Sequence, residues 1–158
     1  MFIENDLHLR FMRAAFQQAL QAFEQDEVPV GAVITHRHKV IGAAHNQMRT
    51  LRDPTAHAEM LAITQAAEAM GDWRLEETVL YVTLEPCIMC AGAILNARIP
   101  QLIYGASEPK GGGVESMYCL LQDSRLNHRT EVIKGVMESE CGELMTTFFR
   151  QQRELGKK

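Results

Sequence analysis

Two short segments carry residue types that can do chemistry together: His57-Ala58-Glu59 and Pro86-Cys87-Ile88-Met89-Cys90. One imidazole and two thiols are donors of the kind that hold zinc. They make three ligands, and the sequence offers no obvious fourth. His36, His38 and His45 fall on or near one expected hairpin, and Cys119 and Cys141 stand alone. Structural zinc sites close with four protein ligands, whereas three and an open position mark a catalytic site. Two thiolates neutralise much of the ion's charge and weaken it as an acid. Such a site gains from a carboxylate that takes the proton of an activated water and returns it to the substrate and leaving group. Glu59, two residues after His57, is placed for that role. The reaction expected is hydrolytic displacement at an electron-poor carbon. Each segment alone says little: a bare His-x-Glu reads as a surface or core pair, and a bare Cys-x-x-Cys as zinc, redox or buried thiols.

The elements around these segments must bring them together. Cys87 and Cys90 are three apart, so on a helix they share a face. Pro86 opens that helix, which is expected to run to about Ala97, and places both thiols in the first turn. His57 and Glu59 are two apart and do not share a face in mid-helix. Both reach one point only if His57 sits at the helix start, where Pro54 and Thr55 put it. The spacing predicts this helix over 56–70, with Thr55 as cap and Gly71 as stop.

Leu7, Phe11, Ala15, Ala19, Ala22 and Phe23 give a helical apolar face over about 6–25. Residues 30–35 and 40–44 read as a β-hairpin, and 79–84, 99–104 and 131–136 as further strands. Segment 108–113 reads as a loop and 116–121 as a short helix. Residues 139–155 read as an amphipathic helix with Leu144, Met145, Phe148 and Phe149 inward. Helices alternating with strands imply a central sheet covered on both faces.

Composition sets bounds. The chain has 158 residues, about the size of one domain, and 1–158 is read as a single domain. It is 46% hydrophobic and 23% charged, as expected of a soluble globular protein. A net charge of -4 argues against a nucleic-acid or DNA packaging role. No apolar stretch reaches the length of a membrane span, and Met1-Phe2-Ile3-Glu4 does not open like a signal peptide. A cytoplasmic location is therefore expected. Four cysteines, two of them paired as Cys-x-x-Cys, fit a metal or redox site in a reducing compartment better than a disulfide framework.

His-x-Glu followed by Pro-Cys-x-x-Cys is the known signature of zinc-dependent nucleobase deaminases. The likeness extends to Val28-Pro29-Val30-Gly31-Ala32-Val33, Asp53-Pro54-Thr55-Ala56-His57-Ala58-Glu59, Glu85 through Ala93, and Phe148-Phe149-Arg150. Over nearly its whole length the chain resembles the bacterial tRNA-specific adenosine deaminases of the zinc-dependent cytidine/deoxycytidylate deaminase superfamily. The resemblance implies a three-layer α/β/α cytidine-deaminase-like fold with a central mixed sheet of about five strands. It implies hydrolysis of adenosine to inosine at the wobble position of tRNA, a homodimer, and one Zn2+ per subunit. His57, Cys87 and Cys90 match its zinc ligands, and Glu59 its proton shuttle. Asn46 matches an asparagine that contacts the flipped nucleoside, and Ala58 would offer its backbone N–H to the base. Pro29 and Val30 match the apolar wall of the base pocket. Lys110 and Arg150 fall where the family contacts the tRNA anticodon stem-loop. Glu108 stands where bacterial members commonly carry Asp, beside the RNA backbone.

Plainer readings stand beside these. Asn46 closes an expected strand and can be a turn residue. Gly111-Gly112-Gly113 lacks P-loop spacing and reads as a flexible loop that yields to RNA. Arg150, Arg153, Lys157 and Lys158 suit either a solvated face at a helix C-terminus or an RNA patch. Phe148 is read as core and Phe149 left open to a stacking role. Arg125, His128 and Arg129 read as a solvated turn, and Cys119 and Cys141 as inert thiols. Two rival functions remain at this point: a zinc deaminase of a free base or nucleoside of guanine or cytosine type, and a zinc-stabilised scaffold. The scaffold would need a fourth ligand and no Glu59.

Overall fold

A computed structural model describes residues 2–157 of the chain. The apolar, β-branched runs form strands β1 (Gly31–His36), β2 (Lys39–His45), β3 (Thr78–Leu84), β4 (Gln101–Ala106) and β5 (Glu131–Lys134). The helices are α1 (Phe2–Glu24), α2 (Met48–Leu51), α3 (Ala58–Met70), α4 (Ile88–Asn96) and α5 (Glu138–Glu154). The strands make one sheet in the order β2-β1-β3-β4-β5. β1 is antiparallel to β2 and β3, whereas β3, β4 and β5 run parallel. This is the mixed five-stranded sheet that the resemblance implies.

The central strands are buried on both faces, and their side chains alternate between two cores. Ala32, Ile34, Leu80, Val82, Leu102 and Tyr104 face α3 and α4, meeting Ala58, Ala62, Ala66, Ala91 and Ile94. Val33, Tyr81 and Ile103 face α1, meeting Phe11, Met12 and Ala15. α5 covers β4 and β3 on the α1 side, where Phe148 lies edge-on to Phe23. The alanines of α1 and α3 let these helices lie close to the sheet. At Gly31 the approach is so tight that a Cβ would fall 2.0 Å from the Ala15 carbonyl oxygen.

Several boundaries depart from the sequence reading. α3 starts at Ala58 with His57 as N-cap and no side-chain cap bond, so Thr55 is not the cap. The Asp53 carboxylate takes both the Thr55 N–H (2.8 Å) and its hydroxyl (2.7 Å). Gly71 does stop the helix, in the left-handed region at φ 69°. α4 starts at Ile88, two residues after Pro86, because Cys87 is extended (φ -73°, ψ 178°). The expected helix over 116–121 is absent: the N–H groups of Met117 and Tyr118 turn back to the Gly112 carbonyl and that of Leu120 to Gly113, and only Leu120–Gln122 forms a 3-10 turn. β5 ends at Lys134, two residues early, ahead of Gly135 at φ 88°. α2 was not expected at all. In α5, Phe148 is buried, but Leu144 and Met145 are half-buried and Phe149 is exposed.

Candidate active site

The N-termini of α3 and α4 meet beside the C-terminal end of β3. His57 and Cys87 are the N-cap residues of the two helices, both with extended backbone, and Cys90 sits in the first turn of α4. His57 Nδ1 lies 3.6 Å from Cys87 Sγ and 3.5 Å from Cys90 Sγ. All three donor atoms fall within 4.8 Å of one another, and among the described residues this is the cluster able to hold a metal ion. Zinc bound tetrahedrally, at ~2.0–2.1 Å to nitrogen and ~2.3 Å to sulfur, needs N···S separations of about 3.6 Å. The trio therefore fits zinc.

The electrostatics suit a cation. The Cys90 thiol donates to Cys87 and, with His57, holds the Cys87 pKa down to about 4 against the cost of burial. The same bond, together with burial, pushes Cys90 up. One thiolate thus stands ready beside an imidazole. Glu59 is not part of the trio. It is 4% exposed, and burial raises its pKa to about 7, opposed by its own backbone N–H at the start of α3. A carboxyl held near neutrality can both accept and release a proton.

A cavity of about 910 Å³ opens over this floor. His57, Ala58, Glu59 and Cys87 line it directly, while Cys90 is buried beneath. Val28, Val30 and Leu84 supply apolar walls, and Asn46 and the rim residues 107–111 complete the lining. Apolar walls with a few convergent polar groups are what a small-molecule or base site requires.

The structure brings together most residues singled out from sequence. Val30, Asn46, Ala58, Glu108, Lys110 and Phe149 all line the cavity. Two do not. Pro29 is buried behind the wall, and Val28 takes the place expected for it. Arg150 lies on an adjoining groove with Glu138, Ser139 and Glu143, which shares Gly142 and Thr146 with the cavity. The reason is helical phase: Met145, Phe149 and Arg153 succeed one another four apart along the cavity face of α5, so Arg153 is the arginine at the cavity. Phe149 is 43% exposed and is the cavity's aromatic residue, not a core one. Lys158 lies outside the described residues.

Two buried carboxylates had escaped sequence reasoning. Glu27, 1% exposed, accepts the Asn46 side-chain Nδ2 (3.3 Å), the Thr50 N–H (2.7 Å) and the Thr50 hydroxyl (3.0 Å). This fixes the Asn46 amide with its Oδ1 buried and without a hydrogen-bond partner among the described residues. Glu85 closes β3 and lines the cavity. Burial opposes its charge, but the Ser116 hydroxyl and the N–H groups of Ser116, Glu115 and Glu108 hold its pKa below the usual value. A signal was available: both carboxylates sit next to apolar runs, in Asp26-Glu27-Val28-Pro29 and in Thr83-Leu84-Glu85-Pro86, where a surface residue is out of place.

Comparison with known proteins bears on this geometry. The MafB19-like deaminase family model matches residues 6–153. The tRNA-specific adenosine deaminase of Streptococcus pyogenes serotype M1 is 48% identical over 144 residues, covering 91% of this chain and 84% of that protein. The tRNA-specific adenosine deaminase of Bacillus subtilis strain 168 is 48% identical over 143 residues, covering 90% and 89%. A solved structure from studies of A-to-I editing by tRNA:A34 deaminases at the wobble position matches with a TM-score of 0.83 and 48% identity. It covers 85% of this chain and 98% of that one. Fold and site together define a deaminase. The chain belongs to the MafB19-like deaminase family and, within it, groups with the tRNA-specific adenosine deaminases.

Proposed function

We propose that this chain hydrolyses adenosine to inosine, releasing ammonia, at the wobble position of a tRNA anticodon. The observation that carries the reading is Glu59: a buried carboxylate beside three metal donors but not one of them, lining the cavity above them. A scaffold would have no use for it. His57, Cys87 and Cys90 would hold one zinc ion per subunit. Zinc held there supplies Lewis acidity that yields a nucleophile from water at neutral pH.

The protein's own groups do the rest. Glu59 takes one proton from the attacking water and gives it to the purine ring, then carries a second, from the hydroxyl that has added, to the departing amine. The Asn46 Oδ1, held free by Glu27, accepts a hydrogen bond from the nucleoside. The Ala58 N–H, in the first turn of α3, is left without an intrahelical partner and is available to the base. Val28 and Val30 enclose the ring. A wobble base in a loop is already partly unstacked and costs less to extract than one in a duplex. Glu108, Lys110, Phe149 and Arg153 at the rim meet the anticodon stem-loop, and Arg150 approaches RNA only outside the cavity. A homodimer and a cytoplasmic location accompany this reading; no helix among the described residues is long and apolar enough to cross a membrane.

The test is turnover on an anticodon stem-loop with adenosine at the wobble position, run beside free adenosine, cytidine and guanine. Inosine forming in the stem-loop, with the free compounds left intact, supports the proposal. Deamination of a free base or nucleoside with the stem-loop untouched would move the protein to small-molecule chemistry.

A further inference from the structure

We infer that Glu85 is a positioning residue: its carboxylate fixes the substrate-facing loop 107–111 against the turn that carries Cys87. The chain leaves the sheet after Ala106 and has no strand or helix until Leu120. One isolated bridge, between Cys87 and Gly112, is its sole ladder-like pairing with the rest of the protein among the described residues. A loop of this length has many N–H groups to satisfy, and Glu85 gathers five donors from it. Oε1 accepts the Glu108 N–H (3.3 Å) and the Ser116 hydroxyl. Oε2 accepts the N–H groups of Val114 (3.3 Å), Glu115 (3.1 Å) and Ser116 (3.1 Å). Both ends of the segment are thus tied to one anion, 2% exposed, and the residues between them form the rim.

Backbone bonds from Gly112 to Glu108 (2.8 Å) and from Gly113 to Pro86 (2.8 Å) complete the arrangement. Gly112 is a requirement of it, because a Cβ there would stand 2.0 Å from Glu85 Oε2. Glu85 lines the cavity but bonds none of His57, Glu59, Cys87 or Cys90; all the bonds of its carboxylate go to the loop. The inference rests on the proposed RNA substrate for its kinetic consequence only. The anchoring itself is a property of the fold.

The test is Glu85→Gln, which keeps shape and removes one acceptor. Three N–H groups converge where Oε2 stands, so the amide oxygen takes that place. The new NH2 then falls at Oε1, donor against donor with the Glu108 N–H, while the Ser116 hydroxyl can rotate to accept. The variant therefore frees the loop at Glu108 and keeps it at 114–116. Amide hydrogen exchange at 108–113 is expected to speed up about tenfold, the worth of one charge-assisted bond, with 114–116 changed less. Zinc content stays at one per chain. KM for the stem-loop rises about tenfold and kcat changes less than about threefold. Ser116→Ala, which removes one bond of the five, is expected to raise KM about two- to threefold and decides the matter if the Gln variant folds poorly. Unchanged exchange at 108–113 overturns the inference. So does a fall in kcat or zinc content with KM unmoved, which would place Glu85 in the metal turn and not in the loop. If the wild-type protein fails to turn over the stem-loop, the proposed substrate falls, and the exchange arm still decides the role of Glu85.

Discussion

Glu27→Gln probes the group that orients Asn46. In the wild type one oxygen of Glu27 takes both donors of Thr50, at 2.7 and 3.0 Å, and the other takes Asn46 Nδ2 at 3.3 Å. The glutamine amide has one oxygen. It goes to the Thr50 pair, where two donors meet it, and the new NH2 then faces the NH2 of Asn46. Two donors cannot remain opposed in a buried site, so the Asn46 amide turns over and leaves Nδ2 unpaired in place of Oδ1. Every hydrogen bond is kept in number, and only its charge assistance is lost. Charge-assisted bonds contribute ~1.5–3 kcal/mol and neutral ones ~0.5–1.5, and relief of a buried charge offsets part of the difference. A net loss of about 1–2 kcal/mol follows, a Tm decrease of roughly 2–8 °C for a chain of this size. Activity should suffer more. On the proposed substrate the acceptor for the nucleoside becomes a donor, and a buried unpaired donor costs ~1–3 kcal/mol, or about 10- to 100-fold in kcat/KM. Glu27→Ala is the contrast: it strips three donors of their acceptor and should destabilise by ~3–5 kcal/mol. The assay is kcat/KM on the stem-loop beside urea unfolding of the same preparations. Wild-type kcat/KM in Glu27→Gln, or a loss no larger than its unfolded fraction explains, would refute the reasoning.

Other consequences are open to measurement. Cys87→Ala should lose bound zinc and part of the stability that the metal contributes; metal analysis showing one zinc per chain in that variant would contradict the ligand assignment. Phe148→Ala should cost ~3–5 kcal/mol of stability, because the ring is buried against Phe23. Phe149→Ala should cost under about 1 kcal/mol and weaken stem-loop binding instead; equal stability losses in the two variants would undo that division. Burial lowers the His45 pKa, with Glu27 pulling the other way. The unfolded chain then takes up this proton first as pH falls. Stability contributed by the neutral ring is present above about pH 6.5 and drains below it, by no more than ~1.4 kcal/mol per pH unit. Unfolding at pH 7.5 and 5.5 should show a smaller drop in His45→Gln than in the wild type, and parallel profiles would exclude His45 as a source of the dependence.

The parts of the site legible in the sequence are those whose chemistry is local. The position of His57 at the head of α3 follows from a geometric demand, that His57 and Glu59 reach one point, although Thr55 turned out to bond Asp53 and not the helix. Cys-x-x-Cys after a proline located the second half of the cluster. What escaped depends on contacts between distant residues. Glu27 and Glu85 adjoin apolar residues, but what they hold is decided by partners 19 to 31 residues away that close over them. The helix expected over 116–121 gives way to a turn in which the N–H groups of Met117 and Tyr118 bond the Gly112 carbonyl and that of Leu120 bonds Gly113, in place of a helical ladder. Arg150 and Arg153 belong to one helix, and which of them borders the cavity depends on how α5 is rotated against the sheet. The hairpin turn at Arg37-His38 adopts φ of 50° and 61° without the Asn or Gly that usually marks such a turn. α2 is four residues long, too short to show a period.

The measurement that tests the central claim most directly is turnover and zinc content of Glu59→Ala on the stem-loop. The variant is expected to be folded, to carry one zinc per chain and to lose about a thousandfold or more in kcat/KM, because the metal donors are intact and the proton has no carrier. A zinc-loaded variant within tenfold of wild-type turnover would contradict that claim.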